Sequence, residues 1–390
     1  METLALHKEA ERLQAWLFES ALPLWFKQGL DHKRGGCFES LNRDGSGTHS
    51  PRRGRLHPRM IFAFCEAGKL GWNGDWRYAA LHAYHYFIDH YQTNEGHYAN
   101  LVSQSGQMLD PSFDLYNQAF ALLGFARINE AVHEREKPAI RKRALELLEH
   151  LTTHYSHRSG GFKEHSNRST YFLRSNPHMH LLEAMLAWEE EDPEGPWAGM
   201  ADDIAGLAFA RFYDGATGLG EYFTQDWRCA KGRDGERLEP GHHYEWAWLL
   251  TRWGRLHKDA SGFEVATQLH TIAETHGLDP TQTFAIMAMD RSYRPMDPTA
   301  RLWAQAERLK ASLLLSSLAR GTAQMHYRRS SEQALQGLLA YLEGMKAGLW
   351  KDRRHESGRF AQEPVPASSF YHIIGVLSQL TNTKLLDLAS

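Results

Sequence analysis

Cysteine is scarce in this 390-residue chain: Cys37, Cys65 and Cys229 stand far apart, with no Cys-x-x-Cys pair. That argues against both a disulfide framework and a cysteine zinc site. Long apolar runs are missing too. Nowhere do about 18 apolar residues follow one another, so no membrane-spanning helix is expected. Charge of one sign is not in excess: 44 basic residues face 47 acidic ones, a formal net charge of −3. No block of like charge points to nucleic acid or an anionic membrane as partner. The opening Met1-Glu-Thr-Leu-Ala-Leu-His-Lys-Glu-Ala carries acids and no apolar core, which does not read as a signal peptide. A cytoplasmic protein is therefore expected. Finally, no Pro/Gly/Ser-rich linker divides the chain, and a single domain over 1–390 is expected.

What is present is a globular composition, 42% hydrophobic and 12% aromatic. The 23 histidines and 12 tryptophans are many for this length. Tryptophan suits sugar rings, although core filling is its commoner use.

Apolar residues recur at helical spacing through most of the chain. The pattern predicts helices near 3–26, 57–71, 75–92, 112–133, 137–154 and 176–190. It predicts others near 196–213, 242–257, 260–277, 297–319, 329–347 and 367–381. These make about 12 helices, joined on alternate links by short hairpin-like, glycine-bearing stretches. Gly35-Gly36-Cys37-Phe38, Gly160-Gly161-Phe162 and Gly218-Leu219-Gly220 form a weak internal repeat, with a period of about 50–60 residues where it is clearest. Six helical hairpins without a linker predict an all-α fold, an (α/α)6 barrel. An open solenoid is the competing arrangement.

In such a barrel the inner helices would begin near 57, 112, 176, 242, 297 and 367 and point their first residues into one cavity. Each start carries polar or aromatic groups with chemical uses. Arg59 lies in His57-Pro-Arg-Met. Asp114, Tyr116 and Asn117 lie in the next start, then Asn176, Met179 and His180 in Asn176-Pro-His-Met-His. His242 and Glu245 share a helix face at i and i+3 in Pro240-Gly-His-His-Tyr-Glu-Trp. Trp303, Gln305 and Glu307 follow, and last His372 among Phe370, Tyr371, Ile373 and Ile374. Singly, each has a plain structural explanation: a core aromatic, a capped helix start, a satisfied histidine. Their coincidence at six corresponding ends is the functional signal.

Two imidazoles with a carboxylate and an arginine can take a proton from carbon, hold the resulting oxyanion and return a proton. That is the equipment for aldose–ketose isomerisation or 2-epimerisation. A metal held by His180, His242, Glu245 and His372 is an alternative, without a His-Glu-x-x-His motif to support it. A glycosidase would use Asp114 and Glu245 as its carboxylate pair. A non-catalytic helical scaffold for a protein partner would show a long polar concave surface instead.

These motifs, together with Asp114-Leu-Tyr-Asn-Gln-Ala-Phe, Thr299-Ala-Arg-Leu-Trp-Ala-Gln-Ala-Glu and Phe370-Tyr-His, resemble the N-acylglucosamine 2-epimerase superfamily. Within it the similarity is to D-mannose isomerases and sulfoquinovose isomerases, from about residue 57 to 372. The resemblance implies an (α/α)6 barrel working through a cis-enediol with no cofactor and no obligatory metal. It implies His242 and His372 as proton-transfer groups, Glu245 as the carboxylate orienting His242, and Arg59 as the holder of the oxygens near C1 and C2. His180 matches a ring-opening histidine, and Tyr116, Asn176, Met179 and Trp303 match pocket residues, with Asp114 in the same region. Ser368 replaces a glutamine of related isomerases. The expected activity is interconversion of D-mannose and D-fructose, with D-mannose or cellobiose 2-epimerisation as the alternative. The partner is a monosaccharide, and the protein is expected to be a monomer or homodimer.

Overall fold

The computed structural model describes residues 2–164 and 172–383. Among them, twelve long helices alternate between two concentric layers. The outer layer holds α1 (Glu2–Trp16), α3 (Trp76–Tyr91), α5 (Lys137–His154), α7 (Trp197–Leu207), α9 (Ala260–His276) and α11 (Gly321–Leu342). The inner layer holds α2 (Leu56–Lys69), α4 (Leu115–Ala131), α6 (Ser175–Glu191), α8 (Pro240–His257), α10 (Leu302–Leu318) and α12 (Phe370–Asn382). Each inner helix packs on the next, and α12 packs back on α2. The strand Ser40–Leu41 also pairs with Val365–Pro366, tying the two ends of the ring. The architecture is the closed (α/α)6 barrel rather than an open solenoid.

Burial explains the two layers. Helix α5 buries Ile140, Ala144, Leu147, Leu148 and Leu151, one stripe at i, i+4, i+7, i+8 and i+11. Such a helix has one wet face and belongs outside. Helices α4 and α10 are buried almost all round, charged residues included, which suits the inner ring. Aromatic pairs join the layers: Trp188 of α6 stacks on Trp197 of α7 at 4.9 Å.

Small antiparallel ladders of two or three strands cover one end of the barrel. They are bolted to the inner helices by a repeated device. Nε2 of His57, His178 and His243 accepts the backbone N–H of Cys37, Phe162 and Leu219, each at 3.0 Å. Gln118 and Gln305 do the same for Tyr98 and Ala285. The glycine repeat follows from this contact. A Cβ on Gly36 would stand 2.4 Å from His57 Nε2, and one on Gly161 2.8 Å from His178 Nε2, both at positive φ. Three of the many histidines are therefore structural anchors.

Two boundaries differ from the sequence expectation. Helix α10 begins at Leu302 rather than near 297, because Pro295–Asp297 and Ala300–Arg301 pair as strands. Helix α11 spans 321–342 rather than 329–347. Its first two turns are largely exposed and show no apolar period, and Gly344 at φ +66° lies beyond its end.

Candidate active site

The starts of the inner helices enclose a polar cavity of about 240 Å³, below the range of about 300–1,000 Å³ that serves drug-sized ligands. His180, His242, Glu245, His372, Arg59, Tyr116, Asn176 and Trp303 all line it. Asp114 and Met179 do not. Asp114 spends its carboxylate capping α4, where it accepts the Tyr116 N–H at 2.9 Å. Met179, one residue before His180, turns about 100° away around the helix and is fully buried in packing. The capping role of Asp114 also takes it out of the Asp114 and Glu245 pair considered for a glycosidase.

Indole and imidazole rings form the working wall. Trp303 lies between two histidines, its ring 5.1 Å from His242 and 6.0 Å from His372. Each histidine has its own carboxylate. His242 Nδ1 is 2.9 Å from Glu221 and 3.5 Å from Glu239. His372 Nδ1 is 2.7 Å from Glu307, whose other oxygen accepts from Lys310 at 2.8 Å. With Nδ1 engaged, Nε2 is the nitrogen left for chemistry on each ring.

The expected pairing of Glu245 with His242 is corrected here. Although three residues apart on α8, Glu245 points deeper and lies 3.8 Å from His180 Nδ1. Glu221, from the turn after Gly218-Leu219-Gly220, holds His242 instead. Sequence reading missed Glu221, Glu239 and Lys310. Glu221 was visible only as an acid in a glycine-bearing loop, and its partner stands 21 residues on.

The two histidines differ in charge. Burial resists protonation of His242, but Glu221 and Glu239 outweigh it and push its pKa up to about 10. Burial raises Glu221 as well, so the pair shares a proton, and the second carboxylate tilts that proton to the imidazole. At His372 burial wins over the single Glu307, and its pKa falls to about 4. Glu307 remains anionic because Lys310 and His372 counter the cost of burying it. Pairs of titratable groups driven apart in this way are the mark of an acid and a base.

The rest of the cavity surrounds this pair. Arg59 donates to the Tyr116 hydroxyl at 2.6 Å and to the Ser368 carbonyl at 3.2 Å, with Phe120 under its guanidinium at 4.2 Å. His180 Nδ1 lies 3.3 Å from Glu183, which also accepts from the Tyr371 hydroxyl. Burial lowers His180 to about 4. Glu245 is raised well above the ordinary carboxylate range by burial and by Glu307. Among the described residues, three groups have ligand atoms within metal-binding reach: His180/Glu183/Glu245, Glu221/Glu239/His242 and Glu245/Glu307/His372. In the last, the Lys310 ammonium already supplies positive charge, and Glu183 of the first lies in its field.

A sequence model of the N-acylglucosamine 2-epimerase (GlcNAc 2-epimerase) family matches residues 36–376. The chain is 40% identical over 378 residues to a protein of Rhizobium meliloti named mannose-6-phosphate isomerase, covering 96% of this chain and 97% of that one. The crystal structure of a D-mannose isomerase superposes with a TM-score of 0.85 at 21% identity, covering 96% and 98% of the two chains. The cellobiose 2-epimerase of Bacillus thermoamylovorans B4167 gives the same TM-score at 16% identity, over 96% and 99%.

Proposed function

The chain belongs to the N-acylglucosamine 2-epimerase family, an enzyme of sugar isomerase or epimerase type, and on that premise we propose that it isomerises a manno-configured aldose to the fructo-configured ketose. The Rhizobium meliloti relative is named for mannose 6-phosphate and the superposed structure for D-mannose. Both names describe the same C1/C2 chemistry. The observation that carries the reading is the pair of opposed histidines, one neutral and one protonated, flanking Trp303.

With the sugar in its open form, His372 Nε2 takes the C2 proton. The C1 carbonyl electrons move onto O1, where the Arg59 guanidinium meets the developing charge. As C2 becomes the carbonyl, C1 takes a proton from His242 Nε2 and the O2 proton passes to O1. Exchange with water restores both rings. Ring opening falls to His180, beside Glu183 and Glu245. Glu307 and Glu221 fix the tautomers of the two histidines.

Epimerisation at C2 is the second reading, favoured by the fold shared with the cellobiose 2-epimerase. It would use the same residues and return the proton to the other face of C2. The small cavity favours a monosaccharide over a disaccharide. Turnover of the mannose substrate in deuterium oxide separates the two readings. Isomerisation gives the ketose as first product, labelled at C1. Glucose-configured product labelled at C2, with little ketose, would overturn isomerisation in favour of epimerisation.

A further inference from the structure

Five arginines line the cavity, and three are matched to carboxylates. Arg53 pairs with Glu39, Arg174 with Glu164, and Arg301 with Asp352. Arg59 has no carboxylate, but its guanidinium is engaged by Tyr116 and Ser368. Arg55 has neither. Among the described residues no hydrogen bond or ion pair reaches its guanidinium, which meets only the ring of Tyr116 at 5.5 Å.

Its position makes that isolation costly. Arg55 stands immediately before α2, where the unpaired N–H groups of the first turn carry partial positive charge and disfavour a cation. Burial depresses its pKa, and the neighbouring Arg53 and Arg59 depress it further. The half-buried guanidinium has five donors, which stay open to the cavity with one aromatic ring and the more distant Glu39 charge as their surroundings. An anion in the cavity would supply the hydrogen-bond partner that this guanidinium lacks.

The histidines are the third residues of α8 and α12, whereas Arg55 precedes the first turn of α2. Glu221 and Glu239 make the surroundings of His242 acidic, so an anionic group on the ligand is repelled there and attracted to Arg55, while Lys310 offsets Glu307 beside His372. The cavity thus carries an unmatched cation at the helix start, one turn before Arg59 and the groups assigned to the carbon chemistry. Guanidinium and phosphate match as two parallel hydrogen bonds.

We propose that Arg55, with Arg53 beside it, is a subsite for a phosphate monoester at the end of the substrate distal to its carbonyl. The substrate class is then an aldose phosphate, turned so that C1 and C2 face His242 and His372. This rests on the isomerase reading for its orientation but not for the anion site itself.

The test compares D-mannose with D-mannose 6-phosphate, and measures inorganic phosphate binding by calorimetry without turnover. The wild-type protein is expected to favour the phosphorylated sugar in kcat/KM and to bind inorganic phosphate competitively with it. Arg55→Gln should cut that preference by about 10- to 100-fold, the range for a charged hydrogen bond, and weaken phosphate binding at least as much. Arg55→Lys, which keeps the charge but loses the fork, should fall between. An unchanged preference in Arg55→Gln, with its melting temperature intact, would overturn the subsite. So would no phosphate binding by the wild-type protein. Phosphate binding that depends on Arg55, without turnover of either sugar, would support the subsite and overturn the isomerase reading instead.

Discussion

Replacing Glu221 by glutamine tests the origin of the proton on His242. The structure puts its pKa at about 10, well above the ordinary value for histidine, and the two carboxylates favour the imidazolium after the opposing cost of burial has been met. A carboxylate in hydrogen-bond contact contributes about 1–3 units of such a shift, and Glu239 at 3.5 Å would remain in the variant. Glu221→Gln should therefore move the alkaline limb of kcat/KM down by about 1–3 units. The sign also predicts stability. The His242 contribution is fully present below its unfolded pKa, fades as pH rises towards 10, and shrinks in the variant. The assay is kcat/KM across pH for the wild type, Glu221→Gln and Glu245→Gln, with thermal melts at each pH. If Glu245→Gln moves the limb and Glu221→Gln leaves it in place, the geometric assignment is wrong and the helical i, i+3 pairing is right.

Three other outcomes are expected. His372→Asn should lower kcat by about 10²–10⁴-fold, the range for a general base, without changing the circular dichroism spectrum; near wild-type turnover would remove His372 from the mechanism. Acid should destabilise the fold between pH 6.5 and 4: burial lowers His178, His180, His243, His270 and His372 each to about 4. Each is protonated only in the unfolded chain over that window, a loss of up to about 3 kcal/mol per group, so a pH-independent melt from 7 to 4.5 would contradict their neutral burial. Gly161→Ala should destabilise by about 1–3 kcal/mol in chemical denaturation, since its Cβ would clash with His178 and Leu207 at positive φ; a stability change under 0.5 kcal/mol would refute the anchoring role of that loop.

Much of the site was legible because it lies at helix starts, where motifs are contiguous. His242, His372, Arg59, His180 and Trp303 could be read as a set once the helices were counted. The repeat of glycine pairs was also visible, but its cause was not. It answers to histidine rings that follow each glycine pair by about twenty residues along the chain and touch it only after the hairpin folds back.

Sequence by itself determined the helix count and the residue types at the inner-helix starts, because periodicity and caps are local. It also misled where local spacing was the only guide, as with Glu245 and the capping Asp114. Only the tertiary structure decided which carboxylate serves which histidine, since Glu307 reaches His372 across 65 residues and Glu221 reaches His242 from a loop. It alone decided that one ring is charged and the other neutral, because that balance depends on burial and on the number of carboxylates within a few ångströms, and neither is written in the order of the residues.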